Sequence, residues 1–236
     1  MRLKVICVFL AAFATIAHAT DFPVGANPCA IALADFNNDG KMDVVAVNTN
    51  SGTVSVLLND GAGGFLPQQT FTVQTQPVAV AVGDFNKDGN MDIVVANGVS
   101  NSVTILLGDG TGGFTAQNIP IPNGVGSTAC LAVADFNEDG NLDIFVGNPG
   151  SSLLIGDGTG SFTIKTGSGS SFNTRSAIAV ADLDGDGHKD VVGLNDEFGV
   201  LLLFGDGTGN FTQATQGMPD SNTSGCRTHR MRLTSN

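Results

Sequence analysis

Thirteen aspartates and six asparagines stand in four nine-residue stretches of one design. The first reads Asp35-Phe36-Asn37-Asn38-Asp39-Gly40-Lys41-Met42-Asp43. The others are Asp84-Phe85-Asn86-Lys87-Asp88-Gly89-Asn90-Met91-Asp92, Asp135-Phe136-Asn137-Glu138-Asp139-Gly140-Asn141-Leu142-Asp143 and Asp182-Leu183-Asp184-Gly185-Asp186-Gly187-His188-Lys189-Asp190. Each places side-chain oxygens at positions 1, 3, 5 and 9 and a glycine at position 6. Three or four carboxylates packed this closely repel one another unless a cation lies between them. A hard cation such as calcium takes six to eight oxygens, and a short loop can supply several of them only by turning sharply, which the glycine permits.

The start of the pattern is that of an EF-hand, but its end is not. An EF-hand carries a bidentate glutamate at position 12 and helices on both flanks. Position 12 is Ala46, Val95, Val146 and Gly193, each inside a run that reads as a strand. The carboxylate at position 9 takes over the closing role. Loop four has four carboxylates where the others have three and an asparagine, so it is expected to hold calcium most tightly.

The elements that must hold these loops repeat with them. The first aspartate recurs at 35, 84, 135 and 182, spacings of 49, 51 and 47. A second landmark keeps step: Asn59-Asp60-Gly61-Ala62-Gly63-Gly64-Phe65, then Gly108–Phe114, Gly156–Phe162 and Gly205–Phe211, the last three reading Gly-Asp-Gly-Thr-Gly-x-Phe. A period of this length with several strands per unit is that of propeller blades. Ahead of each loop lies an alternating strand, such as Ala30-Ile31-Ala32-Leu33-Ala34, with branched residues on one face and tiny ones on the other. After each loop comes a continuous apolar run, such as Ile93-Val94-Val95-Ala96, expected to be buried on both faces. A third strand (Val54–Leu58, Val103–Leu107, Leu153–Ile155, Val200–Phe204) leads into the Asp-Gly hairpin, and a fourth begins at Phe65, Phe114, Phe162 and Phe211. Asp60, Asp109, Asp157 and Asp206 are expected to serve that turn and not a second metal.

These features resemble FG-GAP repeats, the integrin α-like or VCBS repeats, over about residues 22–214. The resemblance rests on four copies of the loop, on the phenylalanine after the first aspartate in three of them, and on the Gly-Asp-Gly-x-Gly-x-Phe hairpin. It implies an all-β fold, a β-propeller of four-stranded blades with calcium between strands one and two of each blade. It implies up to four Ca2+ ions. Their ligands would be Asp35, Asn37, Asp39, Asp43 and the Lys41 carbonyl, then Asp84, Asn86, Asp88, Asp92 and the Asn90 carbonyl. The third set would be Asp135, Asn137, Asp139, Asp143 and the Asn141 carbonyl, and the fourth Asp182, Asp184, Asp186, Asp190 and the His188 carbonyl. Relatives usually have seven blades; four repeats make a partial or open propeller. The blades are expected around 29–77, 78–127, 128–175 and 176–219, within a domain at 20–219. Residues 20–28, which mirror Phe71–Pro77, are expected as an extra fourth strand that would complete the last blade and lock the ring.

Met1-Arg2-Leu3-Lys4, the apolar run to Ala17 and the Ala17-His18-Ala19 site read as a signal peptide at 1–19, too short to span a bilayer. The chain is therefore expected to be secreted, to a periplasm or to the extracellular space, with no membrane span. Without Arg2 and Lys4 it carries 8 basic and 22 acidic residues, a formal charge of −14, which four calcium ions would reduce to −6. That balance argues against nucleic acid as a partner. Cys29 and Cys130 read as small core residues that form no disulfide, and Cys226 lies in an atypical tail, 220–236, expected to be disordered.

The expected role is an adhesion or binding module for an extracellular protein or glycan, with self-association as a way to complete the propeller. No catalytic residues are assigned and no enzyme activity is expected: no Gly-x-Ser-x-Gly, His-Glu-x-x-His or zinc-spaced cysteine and histidine set occurs. The alternative is a propeller part of a polysaccharide-active lyase or hydrolase. Variable segments at 48–52, 98–101 and 195–198 are where a partner would be distinguished.

Overall fold

A computed structural model describes residues 21–122, 125, 129–147, 151–166, 177–195 and 199–214. The leader at 1–19, the tail at 220–236 with Cys226, and the variable residues 196–198 lie outside the described residues.

The described chain is all-β: sixteen strands form four antiparallel four-stranded sheets in simple meander order. Blade one is β1 (Pro28–Ala34), β2 (Asp43–Asn48), β3 (Thr53–Leu57) and β4 (Gln69–Thr72). Blade two is β5 (Pro77–Gly83), β6 (Asp92–Asn97), β7 (Ser102–Gly108) and β8 (Phe114–Pro120). Blade three is β9 (Cys130–Ala134), β10 (Asp143–Gly147), β11 (Ser152–Gly156) and β12 (Phe162–Thr166). Blade four is β13 (Ile178–Ala181), β14 (Asp190–Asn195), β15 (Gly199–Gly205) and β16 (Phe211–Gln213). Each nine-residue loop joins strands one and two of its blade. The register brings the residue before the loop opposite position 9: Ala34 faces Asp43, Gly83 faces Asp92, Ala134 faces Asp143 and Ala181 faces Asp190.

The second strands of blades one to three are buried on both faces, β6 throughout, while Leu194 of β14 is exposed. The alternation in the first strands is what joins blade to blade. Ala30 and Ala32 pack in one core with Val80 and Val82, Ala79 and Ala81 with Leu131 and Val133, and Ala132 and Ala134 with Ile178 and Val180. Each blade thus presents its alanine face to the branched face of the next.

Two regions depart from the sequence expectation. Residues 22–27 pair with no strand; the Phe22 ring meets Phe65 edge-on at 5.0 Å, and β16 supplies the fourth strand of the last blade. In blade one Phe65 makes only an isolated bridge to Asn59, and the fourth strand starts at Gln69. Cys29, expected in the core, is exposed beside the Pro77 and Val78 carbonyls; no disulfide joins it to Cys130. It stands at the start of β1, where the register slips between Pro28 and Ala30 as it does between Pro77 and Ala79 in β5, whose Val78 packs into the second core.

Candidate metal centre

The four loops share one hydrogen-bond pattern, set by the aspartate at position 1. In loop one Asp35 accepts the Asp39 N–H at 3.1 Å and the Gly40 N–H at 2.7 Å. Asp84 and Asp135 do the same for Asp88 and Gly89, and for Asp139 and Gly140. Asp182 holds the Gly185 and Gly187 N–H groups. The glycine at position 6 has φ of 81° to 95° in all four loops, a left-handed turn that costs a side-chain-bearing residue roughly 1–2 kcal/mol. Position 3 faces position 5: Asn37, Asn86 and Asn137 each bond the aspartate two residues on. The position 5 side chain accepts the N–H of Lys41, Asn90, Asn141 or His188, the residue whose carbonyl would be the fifth donor. The Asn90 N–H, first among several donors, holds Asp88 below the usual carboxylate range.

Position 9 does more than sequence spacing reveals. Asp43, Asp92, Asp143 and Asp190 are fully buried. One oxygen of each accepts the N–H of loop position 2, at 2.7–2.9 Å, from Phe36, Phe85, Phe136 and Leu183. The other accepts an N–H at the start of the hairpin, from Asn59, Gly108, Gly156 and Gly205. This carboxylate is the rivet between loop and hairpin. Burial, with the aspartates at positions 5 and 1 adding repulsion, pushes Asp92 and Asp143 above the ordinary carboxylate value. A buried anion beside like charges is the setting a cation relieves.

Loop four alone has a carboxylate at position 3. One oxygen from each of Asp182, Asp184 and Asp190 lies within 4.8 Å of the others, the one acidic cluster of that kind among the described residues. Its donors are oxygen only, the chemistry of a hard cation. Asp186 lies outside this trio and binds the His188 N–H. Loop one carries an internal cation: Lys41 Nζ is 2.9 Å from Asp39 Oδ2, and that bond is the main cause of the lowered Asp39 and raised Lys41 values.

The hairpin aspartates play the turn role read from the sequence. Asp109 Oδ1 accepts the N–H groups of Thr111 and Gly113, and Asp60, Asp157 and Asp206 are held likewise. Sequence reasoning missed what the hairpins do next. Gly112, Gly160 and Gly209 donate, at 3.0–3.1 Å, to the carbonyls of Phe36, Phe85 and Phe136 in the preceding blade. The aromatic rings follow the same rule: Phe36 meets Phe114, Phe85 meets Phe162 and Phe136 meets Phe211, edge-on at 5.6–5.8 Å. The in-step recurrence of loop phenylalanine and hairpin phenylalanine was the available signal.

The same loops and hairpins carry a family likeness. The model for FG-GAP-like repeats matches residues 35–95, 84–146 and 144–193. The chain belongs to the FG-GAP-like repeat family. No curated protein matches it. Among solved structures it is similar to an Agrocybe aegerita lectin described as recognising non-reducing terminal N-acetylglucosamine, at 25% identity and a TM-score of 0.55, over 76% of this chain and 49% of that one. It is also similar to a functionally unknown protein from Desulfotomaculum acetoxidans, at 17% identity and a TM-score of 0.60, over 82% and 59%. A Bacillus licheniformis rhamnogalacturonan lyase matches at 16% identity and a TM-score of 0.51, over 79% and 42%. The chain thus spans about half the length of these structures, and the blades are those of a β-propeller left open. Among the described residues no helix is long and apolar enough to cross a membrane.

Proposed function

We propose that the chain is a secreted, calcium-pinned binding module whose partner is a glycan or glycoprotein and which catalyses no reaction. The observation that carries the calcium reading is the convergence of Asp182, Asp184 and Asp190 beside a turn whose backbone is already fixed. Calcium there would join the loop to the Asp190 rivet and so to the hairpin. Loops one to three would bind more weakly, each with an asparagine at position 3, and loop one most weakly because Lys41 neutralises Asp39.

The glycan reading is supported by the likeness to a lectin that recognises terminal N-acetylglucosamine. Stacking platforms of Trp or Tyr are absent from the sequence, so sugar contact would fall to hydrogen-bonding loop residues such as Asn50, Ser51, Ser100 and Asn101. These loops are tied down: the Ser51 hydroxyl accepts the Ala26 N–H and the Ser100 hydroxyl the Thr75 N–H. A glycan array run in millimolar calcium and again in chelator tests both halves. Calcium-dependent retention of N-acetylglucosamine-terminated glycans is expected; no retention on any glycan would sink the lectin reading.

A further inference from the structure

Three internal blade junctions are built alike, and the outer faces of blades one and four carry the parts of such a junction uncovered. The half that looks backward consists of branched residues in strand one, loop position 8 and a hairpin glycine. In blades two to four these are Val80, Val82 and Met91, then Leu131, Val133 and Leu142, then Ile178 and Val180, all packed against the preceding blade. In blade one the equivalents are Ile31, Leu33 and Met42, and they are 54%, 57% and 62% exposed. A Cβ on Gly112, Gly160 or Gly209 would meet leucine or isoleucine side chains of the blade before; on Gly63 it would meet nothing within 4 Å.

The forward-looking half is bare in blade four. Ala179 and Ala181 are exposed, whereas Ala132 and Ala34, at the same two positions of earlier blades, are buried. Leu194 and Val200, which pair across β14 and β15, are 46% and 57% exposed; Val47 and Val54, paired the same way in blade one, are fully buried. Leu183 is 46% exposed, while Phe36, Phe85 and Phe136 at the same loop position are buried.

We propose that a second copy of this chain covers both faces, the alanine face of blade four in one protomer receiving the branched face of blade one in the other. The interface is heterologous, and its reciprocal use by two protomers closes an eight-bladed ring with no free face. Continuity with the internal junctions argues for this occupant, and so do three local fits. Loop four alone has leucine at position 2, where phenylalanine elsewhere meets the next hairpin ring; here Phe65 is already met by Phe22, and the smaller leucine leaves it room. Position 4 meets position 7 of the next loop at two junctions, where Asn38 bonds Asn90 and Glu138 bonds His188. At the fourth junction the pair is Gly185 and Lys41, so the long cation has space beside the acidic loop of the partner. The Gly63 N–H and the Leu183 carbonyl are the donor and acceptor that the other junctions join.

The test is the solution mass of the whole chain, secreted from a heterologous host and held in millimolar calcium, by sedimentation across a hundredfold concentration range. A two-chain species is expected. Leu33→Glu and Ala181→Arg each alter an exposed position, so each folds, and each is expected to be a single chain. Mixed in equal amounts, they set the introduced carboxylate against the introduced guanidinium at one junction and leave the other native, and the two-chain species returns. A wild-type chain that stays single at every concentration overturns the proposal, as does a pair that neither variant disrupts. A single chain whose melting temperature Ala181→Arg lowers would instead place residues 215–236 of the same chain on the face, and overturn it too. An open series of ever larger species overturns the closed ring.

Discussion

Loops one to three and loop four have the same nine-residue frame and differ in what lies over them. The first three are roofed by the hairpin of the following blade, which donates an N–H to the phenylalanine carbonyl and stacks a ring on its side chain. Loop four has no such roof among the described residues, and Asp182, Asp184 and Asp186 are exposed. The roofed loops accept a strained backbone: Asn38, Lys87 and Glu138 at position 4 have φ of 55° to 59°. Loop four has Gly185 there, at 83°. A loop supported by the next blade of its own chain tolerates strain and a weaker donor set, while the loop without one has an unstrained turn and a fourth carboxylate. Local chemistry in loop four replaces packing that the others receive from the next blade.

The largest expected effect is calcium removal. A ligand at 100 times its dissociation constant stabilises a folded state by about 2.7 kcal/mol per site, so the melting temperature in chelator should fall by many degrees from that in millimolar calcium. Asp182→Ala should abolish the tightest phase of a calcium titration and leave the weaker ones. If the tightest phase survives, the ranking of loop four above its roofed counterparts is wrong. The sign of the pH dependence sharpens this. In chelator, the raised Asp92 and Asp143 take up protons more readily in the folded chain than in the unfolded one. Their part of the metal-free stability is therefore lost as pH rises above about 3.9 towards the raised values.

Next in size is removal of a rivet. Asp143→Ala leaves the Phe136 and Gly156 N–H groups buried without partners, at about 1–3 kcal/mol each, so a loss of about 3 kcal/mol is expected in urea unfolding. In the single-chain Leu33→Glu variant, where no partner covers loop four, Asp190→Ala should cost about half as much in chelator, because the Leu183 N–H it releases lies at the exposed loop and can bond water. Equal losses would mean that the roof plays no part.

How much of this could be read from the chain follows from the range of each contact. The strands, their order and the loop frame were legible because they depend on neighbours within about ten residues: alternation in β1, continuous apolar runs in β6, glycine at the turn. Asp60 and Asp109 were legible as turn residues for the same reason. The double duty of Asp143 was not, since its second partner, Gly156, is 13 residues away across a strand. Nor was the meaning of the alanine alternation, which is set by the next blade. Cys29 reads as core by alignment with Val78, yet it is exposed while Val78 packs into the second core, although the register slips beside both. Residues 22–27 mirror a fourth strand in sequence but lack the third strand to pair with, so the likeness did not become structure.

Exchanging position 4 probes the strain directly. Lys87→Gly relieves a left-handed residue and should stabilise the protein by up to about 1 kcal/mol; Gly185→Lys imposes the same strain on loop four and should cost about as much. If Gly185→Lys costs nothing, the unroofed loop does not need its glycine.

The smallest expected effect lies at the joint between the two kinds of loop. His188 Nδ1 is 2.6 Å from Glu138 Oε1, linking loop four to roofed loop three. That hydrogen bond, helped by the Glu138, Asp186 and Asp206 charges, raises the imidazole above its ordinary value. A raised histidine stabilises the fold fully below the unfolded value of about 6.5, and the contribution disappears as pH climbs through the folded one. Urea unfolding at fixed calcium should thus show stability falling above pH 6.5 in the wild type. In Glu138→Gln the fall should be shallower, since only the more distant Asp186 and Asp206 still favour the protonated ring. Both groups are largely solvated, so screening keeps the effect small and added salt should reduce it further. A slope unchanged by the substitution would mean that this bond does not couple the last loop to its roofed neighbour, and that loop four stands on its own aspartates.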